Sequence, residues 1–163
     1  MSVFHCFESG TVVQDLECTE KYRAISELIR KAPIFTEIAD LDRFEKAVIE
    51  REKAQSTGFG HGIAVAHGRI EGIDRVLIAF GVSRKGISFE SRDGKPVSLL
   101  FIIASPPHMS LDYLQALSTL VRILRDDSLR ESLLSLSDAG EIERRIHGAF
   151  MTCLGKYACG TVA

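Results

Sequence analysis

The sequence is most easily bounded by what it does not contain. It has no long run of one charge sign, and its formal net charge is −2. A nucleic-acid binder shows a basic stripe, so that class is disfavoured. The most apolar run, Leu99 to Ala104, is six residues long. A spanning helix needs roughly 20, so no membrane segment is expected. Residues Met1 to Gly10 carry no basic region followed by a long apolar one, and no secretory signal is read there. Four cysteines are present, Cys6, Cys18, Cys153 and Cys159, with no CxxC pair. They are read as reduced thiols of a cytoplasmic protein, not as disulfides or a zinc site. No internal repeat, low-complexity segment or linker interrupts the 163 residues.

What is present suits a single globular domain. Hydrophobic residues make up 45% and charged residues 26%, a core-forming composition. Thr11 to Leu16 reads as a short strand. Thr19 is expected to cap a helix running to about Arg30, which Pro33 stops. Asp40 caps a second helix with Leu41, Phe44, Ala47 and Val48 on its buried stripe. Arg51 stands near the end of that helix, where a cation complements the helix dipole. Ile63–Ala66, Arg75–Val82 and Val97–Ala104 read as strands, the last two buried on both faces. Leu111, Leu114, Leu117, Leu120, Val121 and Leu124 form an apolar helical face with Ser110 at its N-cap position. Ser128 and Asp138 begin two more helices. The tail after His147 shows no period and is expected to be poorly ordered. Strand, two helices, three strands and three helices pack most simply as a mixed sheet covered by helices, an α/β fold.

Chemistry concentrates between Ser56 and Arg69. This stretch holds Gly58, Gly60, Gly62 and Gly68, with His61 and His67. Glycine-rich turns can point several N–H groups at one anion. A histidine beside one can be a nucleophile for phosphorus, a general base or a metal ligand. Nucleotide motifs are weak here. The glycines lack the GxxxxGK[ST] spacing, and they follow a helix and precede a strand, the reverse of the dinucleotide pattern. No GxSxG elbow exists for a serine hydrolase. A metal site could draw on His61, His67 and His108, but no carboxylate cluster adjoins them. Phosphohistidine chemistry fits better. A neutral imidazole attacks phosphorus, while backbone amides and a guanidinium hold the phosphoryl oxygens. That chemistry needs no metal and no organic cofactor.

Glu50-Arg51-Glu52-Lys53, followed by Ser56-Thr57-Gly58-Phe59-Gly60-His61-Gly62-Ile63-Ala64-Val65-Ala66-His67-Gly68-Arg69, resembles the signature of enzyme IIA domains of fructose/mannitol type. These belong to the bacterial phosphoenolpyruvate-dependent phosphotransferase system, and the nitrogen-regulatory IIA proteins share the domain. Sixteen positions separate Arg51 from His67, as in the family. Gly81-Val82-Ser83, Asp93-Gly94-Lys95-Pro96-Val97, Ser105-Pro106-Pro107 and Leu111-Asp112-Tyr113-Leu114 match in the same order. The resemblance covers about residues 11–147, with 148–163 as a tail of the one domain. It implies a three-layer α/β/α sandwich. It implies that His67 is phosphorylated by the phosphohistidine of an HPr-type carrier and that Arg51 stabilises the phosphoryl group. Thr57, the amides from Gly60 to Gly62, His61, His108 and Ser110 are supporting candidates. Two positions depart from the pattern. Ala66 replaces the usual proline, and Ser110 replaces a second histidine. Ser110 is read chiefly as a helix cap. Downstream partners implied are regulatory targets, if the domain is of the nitrogen type, or a IIB protein for fructose or mannitol uptake. The sequence shows no attached IIB, IIC or carrier region, which favours the nitrogen type. A binding module that keeps the fold without transferring phosphate is the rival reading.

Overall fold

The computed structural model describes residues 10–158. Cys6 and Cys159 lie outside them. Five strands form one mixed sheet in the order β1-β4-β5-β3-β2, where β1 is Val12–Val13, β2 Gly58–Gly60, β3 Ile63–Arg69, β4 Leu77–Ile87 and β5 Val97–Ser105. β1 runs parallel to β4, and β3 runs parallel to β5. The β4–β5 and β2–β3 pairs are antiparallel. Five α-helices cover the sheet: α1 Lys21–Lys31, α2 Leu41–Ala54, α3 Ser110–Ile123, α4 Asp127–Ser135 and α5 Ala139–Ala158. A 3-10 turn, Pro33–Glu37, joins α1 to α2.

Side-chain alternation along β3 and β5 divides the core in two. Ala64, Ala66, Leu100 and Ile102 join Leu28, Phe35, Phe44 and Val48 beneath α1 and α2. Ile63, Val65, Leu99, Phe101 and Ile103 join Leu120, Leu133, Ile146 and Phe150 beneath α3, α4 and α5. Both faces being covered explains why Val97 to Ala104 is a continuous apolar run. Phe80 and Phe101 are register partners and stack with ring centroids 4.4 Å apart. The result is the expected three-layer α/β/α sandwich.

Several boundaries differ from the sequence reading. Glu20, not Thr19, caps α1, its carboxylate accepting from the Tyr22 and Arg23 amides. The Thr19 carbonyl is already taken by the Ser88 amide, which holds the chain extended for one more residue. Asp126, not Ser128, caps α4. Met109 occupies the N-cap position of α3 without a side-chain cap bond, so Ser110 is the first helical residue and not the cap. The turn after Pro106 is closed by the Met109 amide donating to the Pro106 carbonyl, which starts the helix one position early. The strand β2 had no apolar signal to announce it. Beyond His147, α5 continues to Ala158 and buries Phe150 and Leu154. Two glycines, Gly148 and Gly155, dilute its period. Leu111 and Leu114 do not join the core and are 80% and 54% exposed, because at roughly 100° per residue they lie about 180° and 120° around α3 from the buried Leu120.

Candidate functional site

His67 lies near the end of β3, paired with Ile103 of β5. The two-residue period sends Ile63, Val65, His67 and Arg69 to the α3 face. Arg69 pairs with Ser105, and the same period puts Ser105 on that face too. The His67 Nε2 is 2.7 Å from the Ser105 Oγ. Its ring stacks on Tyr113 of α3, with centroids 3.8 Å apart and planes at 20°. The imidazole is therefore fixed by a hydroxyl at one edge and a phenol ring across one face.

Electrostatics follow from that placement. Burial, then the charges of Arg69 and Arg51, push the His67 pKa down to about 4. At neutral pH the ring is uncharged and keeps a nitrogen lone pair. The cations that oppose a proton on this ring favour an incoming dianion beside it. Burial raises the Tyr113 pKa, against the lowering influence of Arg51 and Arg69, so the phenol stays neutral.

Arg51 comes from the last turn of α2. Its Nη1 donates to the Gln55 carbonyl at 3.2 Å, the helix-end role expected of a cation there. α2 lies on the opposite face of the sheet from His67. Its approach to β3 is set by Gly68, where a Cβ would come within 2.6 Å of Val48 Cγ2 and 3.0 Å of Phe44 Cε1. β2 pairs only with the start of β3, and Arg51 is near enough to the far end for its charge to lower the His67 pKa. Arg51 also lines a groove of about 530 Å³ beside β2 and the first half of β3, with Thr57, His61, Ile63, Val65, Arg92 and Leu117; His67 is not among its lining residues. Thr57 is held from below by Glu52, whose buried carboxylate accepts from both the Thr57 amide and hydroxyl and pairs with Lys21 Nζ at 2.9 Å.

The other expected supports are distributed differently. Gly60, His61 and Gly62 have φ of 98°, 58° and 75° and form the turn between β2 and β3. The His61 amide donates to the Asp93 carboxylate, and its side chain is exposed. A strand rises roughly 3.3 Å per residue, so the start of β3 at Ile63 is roughly 13 Å from His67, and the turn holding His61 lies at that distant end. His61 stands in the turn before β3 and His67 near the far end of the strand, so the two cannot meet at one metal ion. His108 and Ser110 are exposed in a shallow cleft with Asp74 and Asp112. Its lining does not include His67. Sequence reasoning missed Ser105, Tyr113 and Arg69 as neighbours of His67. Arg69 was recoverable from its two-residue offset. Ser105 and Tyr113 were not, because they meet His67 only through strand pairing and helix packing. The first turn of α3, which precedes Tyr113, has no side-chain cap.

A family model described as phosphoenolpyruvate-dependent sugar phosphotransferase system, EIIA 2, matches residues 5–148. The chain belongs to that family. A nitrogen regulatory protein of Bradyrhizobium diazoefficiens is 33% identical over 131 residues, covering 80% of this chain and 85% of that protein. The fructose-specific EIIA component of Haloferax volcanii is 38% identical over 114 residues, covering 70% and 74%. The fructose-specific EIIABC component of Bacillus subtilis is 32% identical, but this chain spans only 21% of its length. Among solved structures, the nitrogen regulatory protein IIA-Ntr of Neisseria meningitidis superposes with a TM-score of 0.79 at 31% identity, over 88% of this chain and 97% of that one. The phosphotransferase-system IIA fold expected from the motifs is therefore the fold observed. Among the described residues, no helix is long and apolar enough to cross a membrane.

Proposed function

We propose that this IIA domain is a phosphocarrier that accepts a phosphoryl group on His67 from the phosphohistidine of an HPr-type protein. The observation that carries the reading is the state of His67: a neutral, oriented imidazole within the fields of two arginines. In the transfer, the lone pair of one His67 ring nitrogen forms the new P–N bond. The donor's P–N bond breaks, and its electron pair returns to the donor ring. Arg51 and Arg69 balance the charge on the phosphoryl oxygens. Leu111 and Leu114, exposed beside Tyr113 on α3, offer an apolar surface on which the carrier protein docks. No metal or organic cofactor takes part.

Of the downstream roles, a regulatory one of the nitrogen type has the better support. The IIA-Ntr structure covers nearly all of its own chain in the superposition, and the Bradyrhizobium relative is matched over most of its length. Transfer to a IIB protein is the second reading, favoured by the likeness to the Haloferax EIIA component.

The test is incubation of the purified protein with phosphoenolpyruvate, enzyme I and HPr. The expected product is an acid-labile, base-stable phosphate that His67→Ala eliminates. Absence of label under conditions that phosphorylate HPr would leave the binding-module reading in place. Adding a fructose-type IIB to the labelled protein then separates uptake from regulation, since only the former predicts rapid loss of label.

A further inference from the structure

A second cleft, of about 1070 Å³, opens between α3, α4 and α5, and neither His67 nor Arg51 lines it. Its volume is of the size that encloses small organic ligands. Apolar surface from Ile123, Leu129, Leu136 and Ala149 forms its floor. Arg122, Arg125, Arg144, Arg145 and Lys156 stand around it, against only Asp126 and Glu141. That is a strong local excess of positive charge in a chain whose net charge is −2. The Asp126 carboxylate is already engaged by the Ser128 amide. Arg145 donates to the Ser132 hydroxyl at 3.3 Å. Arg125 and Arg144, on opposite walls, are exposed and make no side-chain hydrogen bond or ion pair among the described residues.

An independent feature concerns Gly148, in the interior of α5 and in the wall of this cleft. Glycine is unfavourable inside a helix. Where packing demands it, a Cβ would collide with something, as at Gly68. At Gly148 a Cβ would meet nothing within 4 Å. Packing does not call for this glycine. It leaves this part of the cleft wall without a side chain, as Gly155 does farther along α5 outside the cleft.

We propose that this cleft binds an organic polyphosphate of the nucleoside di- or triphosphate class, independently of phosphoryl transfer at His67. The planar base lies on the apolar floor against Gly148. The phosphates bridge the guanidinium forks of Arg125 and Arg144, which match phosphate oxygens bidentately. A bare inorganic anion would leave the floor unused, and a neutral ring compound would leave the guanidiniums unpaired.

The experiment is calorimetric and NMR titration of the full chain with ATP, ADP, pyrophosphate and adenosine as separate probes. ATP or ADP binds, perturbing amides of Arg122–Arg125 and Gly148–Ala149. Pyrophosphate binds several-fold more weakly, and adenosine does not register. Arg144→Glu weakens binding roughly tenfold or more, from the loss of one charge-assisted fork and the gain of repulsion. Gly148→Leu fills the wall without altering charge and weakens binding comparably. Both substitutions are at exposed positions, and both variants retain phosphorylation of His67. The inference is overturned by any of four results. They are no nucleotide binding up to about 1 mM, perturbations confined to residues around Arg51 and His67, equal affinity for pyrophosphate and ATP, or unchanged affinity in both variants. Protection of the same amides by an acidic amphipathic peptide but not by nucleotide would also overturn it, in favour of a protein partner.

Discussion

One histidine stands in the turn before β3 and another near the strand's far end, and their surroundings could hardly differ more. At the start of the strand, His61 sits in a left-handed turn between two glycines, with its side chain in solvent. At the far end, His67 is packed against Tyr113, held by Ser105 and flanked by two arginines. The glycine-rich end looked the better anion site by composition. Its amides are turned to other uses: the His61 amide is bound to Asp93, and the glycines shape a hairpin. The proposed phosphoryl site lies instead at the far strand end, where Tyr113 and Ser105 hold the ring and two arginines lower its pKa. Glycine content measures the freedom of a backbone. It does not say which way its amides face.

Exchanging alanine for each histidine in turn breaks the comparison most directly. His67→Ala is expected to abolish phosphoryl labelling by HPr, and His61→Ala to leave its rate within about twofold of wild type, since a group beyond the reach of direct contact contributes little. Loss of labelling in His61→Ala would return the site to the glycine turn. Next in size is Arg51→Ala, expected to slow labelling by about 10²-fold through loss of charge stabilisation in the transition state. Stopped-flow or quench measurement at saturating HPr separates that from weaker docking. Arg92→Ala, in the same groove but toward the glycine turn, sharpens the contrast if it leaves the chemical step intact.

Stability variants probe the scaffold that creates the difference. Glu52→Ala removes the partner of a buried Lys21 and the anchor of Thr57, a loss of about 3–5 kcal/mol for a broken buried pair. Gly68→Ala forces a Cβ against Val48 and Phe44, and overpacking of this kind costs about 1–3 kcal/mol. Thermal or urea unfolding of both variants checks these values. Gly68→Ala should also slow phosphorylation, because it pushes α2, and with it Arg51, away from the His67 edge.

The pH dependence is the gentlest probe. The folded His67 pKa, about 4, lies below the ordinary histidine value of 6.5. As pH falls from 6.5 toward 4, the unfolded chain takes up a proton there that the folded chain refuses. This residue therefore subtracts stability progressively across that window and subtracts none above it. Phosphate acceptance by the neutral ring stays level from pH 8 to about 5 and declines only as pH approaches 4. NMR titration of the His67 ring nitrogens checks the value directly. Arg69→Ala raises it, and removing Ser105 as Ser105→Ala tests whether ring orientation or charge sets the rate.

Much of this protein was readable without coordinates. Alternation and continuous apolar runs marked β4 and β5 as doubly covered. Helical periodicity found all five α-helices, and the separation of Arg51 from His67 pointed to one site from two elements. Residues with ambiguous local signals were misread. Leu111 and Leu114 read as one apolar face with Leu120, but the helical period turns both well away from the buried side of α3. Ser110 is a good capping residue by type, yet the Pro106 turn moved the helix start past it. α5 beyond His147 is helical because Phe150 and Leu154 find a sheet to pack on, which no local pattern reveals.

The sequence by itself determined the layers and the order of elements and singled out His67 as the proposed acceptor, because hydrophobic periodicity and motif spacing are properties of the chain. Only the tertiary structure decided what surrounds that histidine. Ser105 and Tyr113 are 38 and 46 positions away from His67 along the chain. Strand register and helix packing bring them within contact, and the same burial, with the charges of Arg69 and Arg51, lowers the His67 pKa. Proximity across the fold is a product of packing, and the linear sequence does not record it.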